Sequence, residues 1–326
     1  MIKKYKKKDG KIISISVEDF NKNELNDNSK LIVEVLYCGI CGTDYQKYIG
    51  MDNVEEWGHE IIGKVIEDES KEHIVAIRTT YPCGVCENCK NGHIEKCKNW
   101  KRLNINGFSN EILVDKNSII RIDEKNVDIV YSLIEPLYVA NSLISHIMPT
   151  PNSVYSIIGN GTIGLLSAFL LKKKYGAQVR IVGRRNLGNK NEFIRKIGAK
   201  YYDFNDVGKA LNGCDKIIIT TPYNTIPNIV KLADPYSNIT FNGISKETCV
   251  KMEFDNWHFK NINIWPSFPH PQNDFSEEIQ IIKENKDVIC SIITNIYPLE
   301  KIEDAFELLK DKTKDNIKIL IDCRRV

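Results

Sequence analysis

The sequence predicts an α/β chain of two domains, a mainly β part followed by a parallel-sheet part, and three observations carry that prediction. The rhythm of apolar runs changes near residue 140, from short isolated strands to strands alternating with helices. A glycine-rich turn, Gly159-Asn160-Gly161-Thr162-Ile163-Gly164, joins the first strand of the second part to a helix. Six of the ten cysteines precede residue 100, which points the first part towards metal chemistry rather than disulfide staples.

Length sets the outer bounds. A chain of 326 residues suits two domains or one large barrel. With 42% hydrophobic and 27% charged residues it has the material for a core, which excludes a disordered or collagen-like chain. Forty-five Lys and Arg against 43 Asp and Glu leave a net charge of +2, which argues against a polyanion-binding surface and leaves room for a local basic pocket. Met1–Gly10 is lysine-rich without the apolar core of a secretory signal. No window reaches the roughly 18 apolar residues of a membrane span. A soluble, cytoplasmic protein with no membrane partner is the expectation.

In the first part, strands are expected at Lys11–Val17, Leu31–Cys38, Ile61–Glu67, Ile74–Arg78, Glu111–Val114 and Ile119–Ile122, separated by Asn, Asp and Gly clusters. In the second, strands at Val154–Ile158, Gln178–Val182, Lys216–Thr220, Asn238–Phe241 and Asn261–Trp265 alternate with helices at Ile163–Lys174, Lys190–Ile197 and Ile226–Leu232. That alternation means βαβ units and a parallel sheet. A last helix, Leu299–Leu309, aligns Leu299, Ile302, Ala305, Phe306 and Leu309 on one face and is followed by a strand, Ile317–Ile321. Periodicity does not assign this tail to either part.

Strand Val154–Ile158 runs straight into the glycine turn and then into a helix, the setting in which GxGxxG binds a dinucleotide. Gly159 permits the tight turn, Gly161 lets backbone approach a pyrophosphate, and Gly164 lets helix and strand pack closely. The N–H groups of Thr162, Ile163 and their neighbours at the helix start suit phosphate, and Asn160 completes the loop. Where the second strand ends, an NAD site usually offers a carboxylate to the ribose. This chain reads Gly183-Arg184-Arg185 instead, and two guanidinium groups suit a 2′-phosphate, so NADP is expected over NAD.

Cys83-x2-Cys86-x2-Cys89-x7-Cys97 gathers four thiols in a short stretch with Pro82, Gly84 and Gly92. Four sulfurs and no water position describe a structural Zn²⁺ site, with an iron site and a redox disulfide as the alternatives. His93, inside the loop, is a bystander. Cys214, Cys249, Cys290 and Cys323 stand alone and are expected to be buried small hydrophobes.

Three further fragments hold chemistry-bearing residues: Gly39-Ile40-Cys41-Gly42-Thr43-Asp44 after a strand, Trp57-Gly58-His59-Glu60 before one, and Glu135-Pro136. Spacing alone does not show that Cys41, His59, Glu60 and Glu135 converge.

With Gly107-Phe108-Ser109, the four-cysteine lobe and the glycine turn, these motifs occur in an order that resembles the zinc-dependent medium-chain alcohol and polyol dehydrogenases, over nearly the whole chain. The resemblance implies a GroES-like β-barrel catalytic domain over 1–138 and 290–326 and a Rossmann cofactor domain over 139–289, with the active site between them. It implies Cys41 and His59 as ligands of a catalytic zinc, Glu60 beside that histidine as ligand or supporting group, and Glu135 as the acidic ligand of the sugar and polyol branch. Thr43 matches the hydroxyl of the family's proton relay, and Asp44 a partner that orients a ligand. Zinc would lower the pKa of a substrate hydroxyl, and hydride would pass to the nicotinamide. With Arg184 and Arg185, the chain is most similar to NADP-using glucose and sorbitol-type dehydrogenases, which implies two zinc ions per chain, a sugar or polyol substrate that is phosphorylated or not, and a homodimer or homotetramer.

Two departures from the family stand out. Gln46 occupies the position of the relay histidine, so proton release runs through Tyr45, Lys47, Glu60, water or another group. Trp265-Pro-Ser-Phe-Pro-His270 replaces a substrate-facing segment, which points to Ser267 or His270 for substrate choice. The competing expectations are a threonine-like or simple alcohol dehydrogenase, a non-catalytic NADP-binding protein, and a zinc-lobe module for nucleic acid. The near-balanced charge speaks against the last.

Overall fold

The computed structural model describes residues 2–17, 20, 27–50, 52–66, 73–124, 126–151, 153–184, 188–243, 249–268, 271–311 and 313–324. Contacts divide the chain into two compact units, 1–135 with 269–326 and 136–268. Segment 269–289, which the sequence suggested for the second domain, groups with the first unit. Polar contacts hold it there: Arg78 Nη1 donates to the carbonyl of Asn273 at 3.1 Å, and Lys286 sits 3.5 Å from Glu124 and 3.4 Å from Asp128.

The first unit opens with an antiparallel hairpin of β1 (Ile2–Lys8) and β2 (Lys11–Val17). Next come β3 (Lys30–Gly39), helix α1 (Gly42–Ile49), β4 (Glu60–Val65) and β5 (Ile74–Ile77). A small pair, β6 (Thr80–Tyr81) and β7 (Lys101–Arg102), closes the base of the four-cysteine lobe, and β8 (Glu111–Asp115) and β9 (Ile119–Ile122) follow.

The central strand of the main sheet is β3. One of its edges pairs antiparallel with β4, with a register shift between Val35 and Tyr37 that lets the strand bend. The other edge is shared in series, by β8 along Lys30–Glu34 and by a C-terminal strand along Tyr37–Gly39. Charge hid β1 from the sequence reading: five of its seven residues are lysines, yet Ile2, Tyr5 and Lys7 turn inwards.

Trp57, Phe108 and Phe306 form the heart of this unit. Trp57 stacks on Phe306 at 5.2 Å between centroids, and Phe108 sets its edge against both rings. The Gly107-Phe108-Ser109 motif is therefore structural. A Cβ on Gly107 would lie 2.1 Å from the Gly58 carbonyl, so this backbone approach fixes the segment just before His59.

A helix, α2 (Ile134–His146), crosses the division between the units. The second unit is a six-stranded parallel sheet of β10 (Val154–Ile158), β11 (Gln178–Gly183), β12 (Lys200–Asp203), β13 (Lys216–Ile219), β14 (Asn238–Phe241) and β15 (Asn263–Pro266). Its order is β12-β11-β10-β13-β14-β15, reversing beside β10, which defines a doubly wound Rossmann sheet. The half-buried, polar β12 escaped the sequence reading, whereas β10, buried over Tyr155–Ile158, and the fully buried β13 stood out.

The chain then returns to the first unit with β16 (Ile293–Pro298) and β17 (Lys318–Asp322), parallel to each other. Between them the helix Ile302–Lys310 buries Ile302, Ala305 and Phe306, with Leu299 buried in the turn before it and Leu309 partly so. No helix among the described residues is long and apolar enough to cross a membrane.

Candidate active site

Neighbouring strand ends bring the distant fragments together. Gly39, at the end of β3, stands directly opposite Glu60, at the start of β4. Cys41 follows Gly39 as the N-cap of α1, and His59 precedes Glu60. Ligand atoms of Cys41, His59 and Glu60 all lie within 4.8 Å of one another. Asp44, fully buried in the first turn of α1, ties the two segments: its carboxylate accepts from the Cys41 N–H at 3.0 Å and from the Gly58 N–H at 3.0 Å. His59 Nδ1 lies 3.8 Å from the same carboxylate. Thr43 sits half-buried in the same turn.

Glu135 stands outside that trio. It is the second residue of α2, nearly buried, and Gln272 Nε2 donates to its Oε1 at 3.3 Å. Burial pushes its pKa up to about 7; the His59 charge opposes that rise and the Glu60 carboxylate adds to it. The turn before Glu135, Ile129–Leu133, packs on β3 and β4 and so delivers it to the same strand ends.

Sequence reasoning missed Lys318. It lies in β17, 2% exposed, where it pairs with the equally buried Glu60 carboxylate and donates to the Ile40 carbonyl at 2.9 Å. The signal was present as one lysine in an otherwise apolar strand, Ile317-Lys318-Ile319-Leu320-Ile321. The three strands β17, β3 and β4 lie side by side, so Gly39 sits between the two charges; a Cβ there would be 2.0 Å from Glu60 Oε2 and 2.9 Å from Lys318 Cε.

The donor set fits a dication. A thiol, an imidazole and a carboxylate meet beside two further buried carboxylates, against one ammonium. The charge pattern carries the same message: desolvation is the strongest influence on His59 and opposes its protonation, yet Cys41, Asp44 and Glu135 outweigh it and hold the pKa well above the usual value. An excess of buried negative groups of these types is what a zinc site presents.

The four-cysteine lobe fits independently. Sulfur separations of 3.9 Å (Cys83–Cys89), 3.4 Å (Cys86–Cys89) and 3.9 Å (Cys86–Cys97) surround the ~3.8 Å edge of a tetrahedron with ~2.3 Å zinc–sulfur bonds. The Cys86 N–H donates to Cys83 Sγ at 3.4 Å, and the N–H groups of Val85 and Cys86 bring the Cys83 thiol down to about 6. Burial pushes Cys89 up to about 12, since four such close sulfurs cannot all ionise without a cation. His93 is exposed and lies 3.5 Å from Glu95. Of the isolated cysteines, Cys214 and Cys323 are buried as expected and Cys290 partly so, but Cys249 is exposed.

In the second unit, Gly159 adopts φ +122°, which favours glycine, and a Cβ there would meet Thr220 Oγ1 at 2.3 Å. A Cβ on Gly164 would lie 2.0 Å from the Gly159 carbonyl, whereas the space around Gly161 is open. Asn160 packs against Gly183, where a Cβ would meet its Cγ at 2.4 Å, so the loop and the end of β11 touch. Thr162 and Ile163 open the following helix, Thr162–Tyr175. Arg184 is exposed and holds its guanidinium 5.4 Å over the Phe204 ring. Arg185 and His270 lie outside the described residues. Ser267 is buried, with its hydroxyl 3.2 Å from that of Ser142.

Residues 130–322 match the family described as Glucose dehydrogenase C-terminus, and residues 27–124 match the Alcohol dehydrogenase GroES-like domain. Fold and metal clusters together define a zinc-binding oxidoreductase of the sugar and polyol dehydrogenase type. The chain belongs to the medium-chain family of zinc-dependent dehydrogenases. It is 26% identical over 315 residues to the 2-dehydro-3-deoxy-L-galactonate 5-dehydrogenase of Pseudoalteromonas atlantica, covering 89% of this chain and 91% of the relative. Two solved structures share its fold. A protein described as short chain alcohol dehydrogenase (rspB) from Escherichia coli CFT073, complexed with NADH, superposes with a TM-score of 0.82 at 24% identity, covering 98% of this chain and 99% of that one. A zinc-binding dehydrogenase from Sinorhizobium meliloti 1021, bound to NADP, gives 0.80 at 21% identity, with 99% of each chain covered.

Proposed function

We propose that the protein interconverts a secondary alcohol of a sugar or polyol and its carbonyl form, using NADP and a zinc ion held by Cys41 and His59 with carboxylate help from Glu60 or Glu135. The observation that carries this reading is the meeting of Cys41, His59 and Glu60 at one point with a carboxylate, rather than a thiol, as the next acidic group. A bound zinc supplies Lewis-acid polarisation of the substrate oxygen, and a bound nicotinamide supplies the hydride acceptor or donor.

The chain's own residues do the rest. Asp44 keeps the Cys41 and His59 segments in register through two backbone N–H groups. Thr43, two residues after Cys41 in the first turn of α1, offers a hydroxyl to the proton leaving the substrate. Gln46, three residues on, cannot carry a charge onward, and Lys47 is engaged with the Glu56 carbonyl at 2.6 Å, which leaves Tyr45, Glu60 or solvent to take the proton from there. Glu135, which burial alone drives towards its neutral form, is kept as a carboxylate by a neighbouring dication. The four-cysteine lobe holds a second zinc that shapes the first unit and takes no part in the reaction.

NADP is favoured because no carboxylate follows β11: Gly183 is followed by Arg184 and Arg185, and the nearby Asp203 carboxylate accepts from the Asn205 N–H at 2.9 Å. The sugar-acid relative named above supports the substrate class. A setting that keeps thiols reduced, such as the cytoplasm, suits ten unpaired cysteines. The experiment is a screen of polyols, aldoses, their acids and their phosphates with NADP and with NAD, following the reduced cofactor. Turnover of a polyol or sugar with NADP supports the reading; turnover of simple alcohols alone, or with NAD alone, contradicts it.

A further inference from the structure

Gln272 is fully buried, and its amide oxygen and its amide nitrogen each meet a partner. Its Oε1 accepts from the Thr80 N–H at 3.3 Å, and its Nε2 donates to Glu135 Oε1 at 3.3 Å. Its own backbone N–H donates to the Thr80 carbonyl at 3.0 Å. The orientation of the amide follows from chemistry: a backbone N–H can only donate, so the oxygen must face Thr80 and the NH₂ must face Glu135.

Thr80 opens β6, the strand that pairs with β7 at the base of the four-cysteine lobe, and Cys83 comes three residues later. Arg78 adds to the hold, donating to the Gln272 carbonyl at 3.4 Å and to that of Asn273 at 3.1 Å. One amide therefore bridges the base of the lobe and the carboxylate that stands just outside the Cys41, His59 and Glu60 trio.

We propose that Gln272 is a positioning residue that ties Glu135 to the base of the four-cysteine lobe and sets how that carboxylate is presented to the metal held by Cys41 and His59. The proposal rests on the zinc reading above and deepens it: the lobe, whose first cysteine lies 42 positions after Cys41, acts on the catalytic metal through Thr80 and a single side chain. A leucine at 272 would leave both the Thr80 N–H and a Glu135 oxygen without this partner. A glutamate would keep the shape and set like charge against Glu135.

The test is chelator competition for zinc on the full chain, with the two sites distinguished by cobalt substitution, in the wild type and in Gln272→Leu and Gln272→Glu. Groups that orient a metal ligand typically contribute about 10- to 100-fold in affinity. Both variants are expected to weaken the Cys41 and His59 site by about that factor, to shift its cobalt absorption, and to leave the lobe site within about twofold of wild type. Glu135→Gln should abolish the effect of adding Gln272→Leu, because the link then has nothing to position.

Should Gln272→Leu prove insoluble, the near-isosteric Gln272→Glu carries the test alone. Unchanged affinity and cobalt spectrum in a folded variant would overturn the proposal, as would full additivity with Glu135→Gln. A wild-type chain that binds only one zinc, in the lobe, would overturn the zinc reading itself and this proposal with it; two zinc ions with no dependence on residue 272 would sink this proposal alone.

Discussion

Lys318 Nζ pairs with the Glu60 carboxylate where neither side chain is more than 3% exposed. A strand from the end of the chain thus neutralises a group placed beside His59 by the first unit's central sheet. Burying such a pair is worthwhile only if both charges stay satisfied, and removing one partner of a buried pair costs about 3–5 kcal/mol. Lys318→Met should therefore destabilise the metal-free protein by roughly that amount, and the zinc-loaded protein by less, because the cation takes over part of the compensation for Glu60. Denaturant unfolding with and without a chelator measures the difference. Equal, small losses in both states would contradict the pairing.

Gly39 lies between these two charges. Gly39→Ala pushes a methyl group to within 2.0 Å of Glu60 Oε2, so the carboxylate must move. The expected outcome is overpacking worth about 1–3 kcal/mol together with weaker zinc retention at the Cys41 site. Thermal melting and zinc content of the purified variant check both; wild-type values for both would contradict the geometry.

The two metal clusters separate by mutation. Cys89→Ser should lose the lobe zinc and lower the melting temperature, since a structural site contributes folding energy. Cys41→Ser should lose the other zinc and activity while the lobe stays loaded. Elemental analysis per chain gives two ions for the wild type and one for each variant. One ion in the wild type would contradict the assignment.

Arg184 and Arg185 are expected to select the cofactor. Arg184→Ala with Arg185→Ala should weaken NADP by about 10- to 100-fold, the scale of a lost charge-assisted hydrogen bond or two, and leave NAD little changed. Equal losses for both cofactors would contradict a 2′-phosphate role.

Acid stability offers a test away from the metal. Tyr131 donates its hydroxyl to Glu124 at 2.7 Å, and this bond, ahead of the Lys286 charge, holds the Glu124 pKa below the usual carboxylate value. A depressed folded pKa means the stabilisation is present above the unfolded value and is lost as pH falls through the folded one. Tyr131→Phe should therefore cost about 1 kcal/mol near pH 7, and the cost should shrink as the pH falls through the lowered folded pKa of Glu124. A cost that does not change with pH would show that packing, rather than the bond, is what the hydroxyl contributes.

The glycine turn, the lobe and the parallel sheet were legible because each is local. Gly159, Gly161 and Gly164 fall within six residues between one strand and one helix, and the lobe's four thiols lie in one short stretch. The candidate reaction centre was only half legible. Cys41, His59 and Glu60 come from segments joined by β3–β4 pairing, which spacing does not reveal, and only the resemblance linked them. Lys318 and Gln272 act through contacts more than 130 residues apart in sequence, so no window contains both partners. Charge misled in one place, at β1, where lysines concealed a strand whose inward positions include Lys7, its ammonium bonded to the Lys47 carbonyl at 3.2 Å.

The central claim is that one zinc ion is shared by Cys41 and His59. Anomalous scattering at the zinc edge from a zinc-replete crystal tests it most directly. The account predicts two peaks per chain, one among the sulfurs of Cys83, Cys86, Cys89 and Cys97, and one about 2.3 Å from Cys41 Sγ and about 2.0–2.1 Å from a His59 ring nitrogen. A filled lobe with no peak between Cys41 and His59 would contradict it.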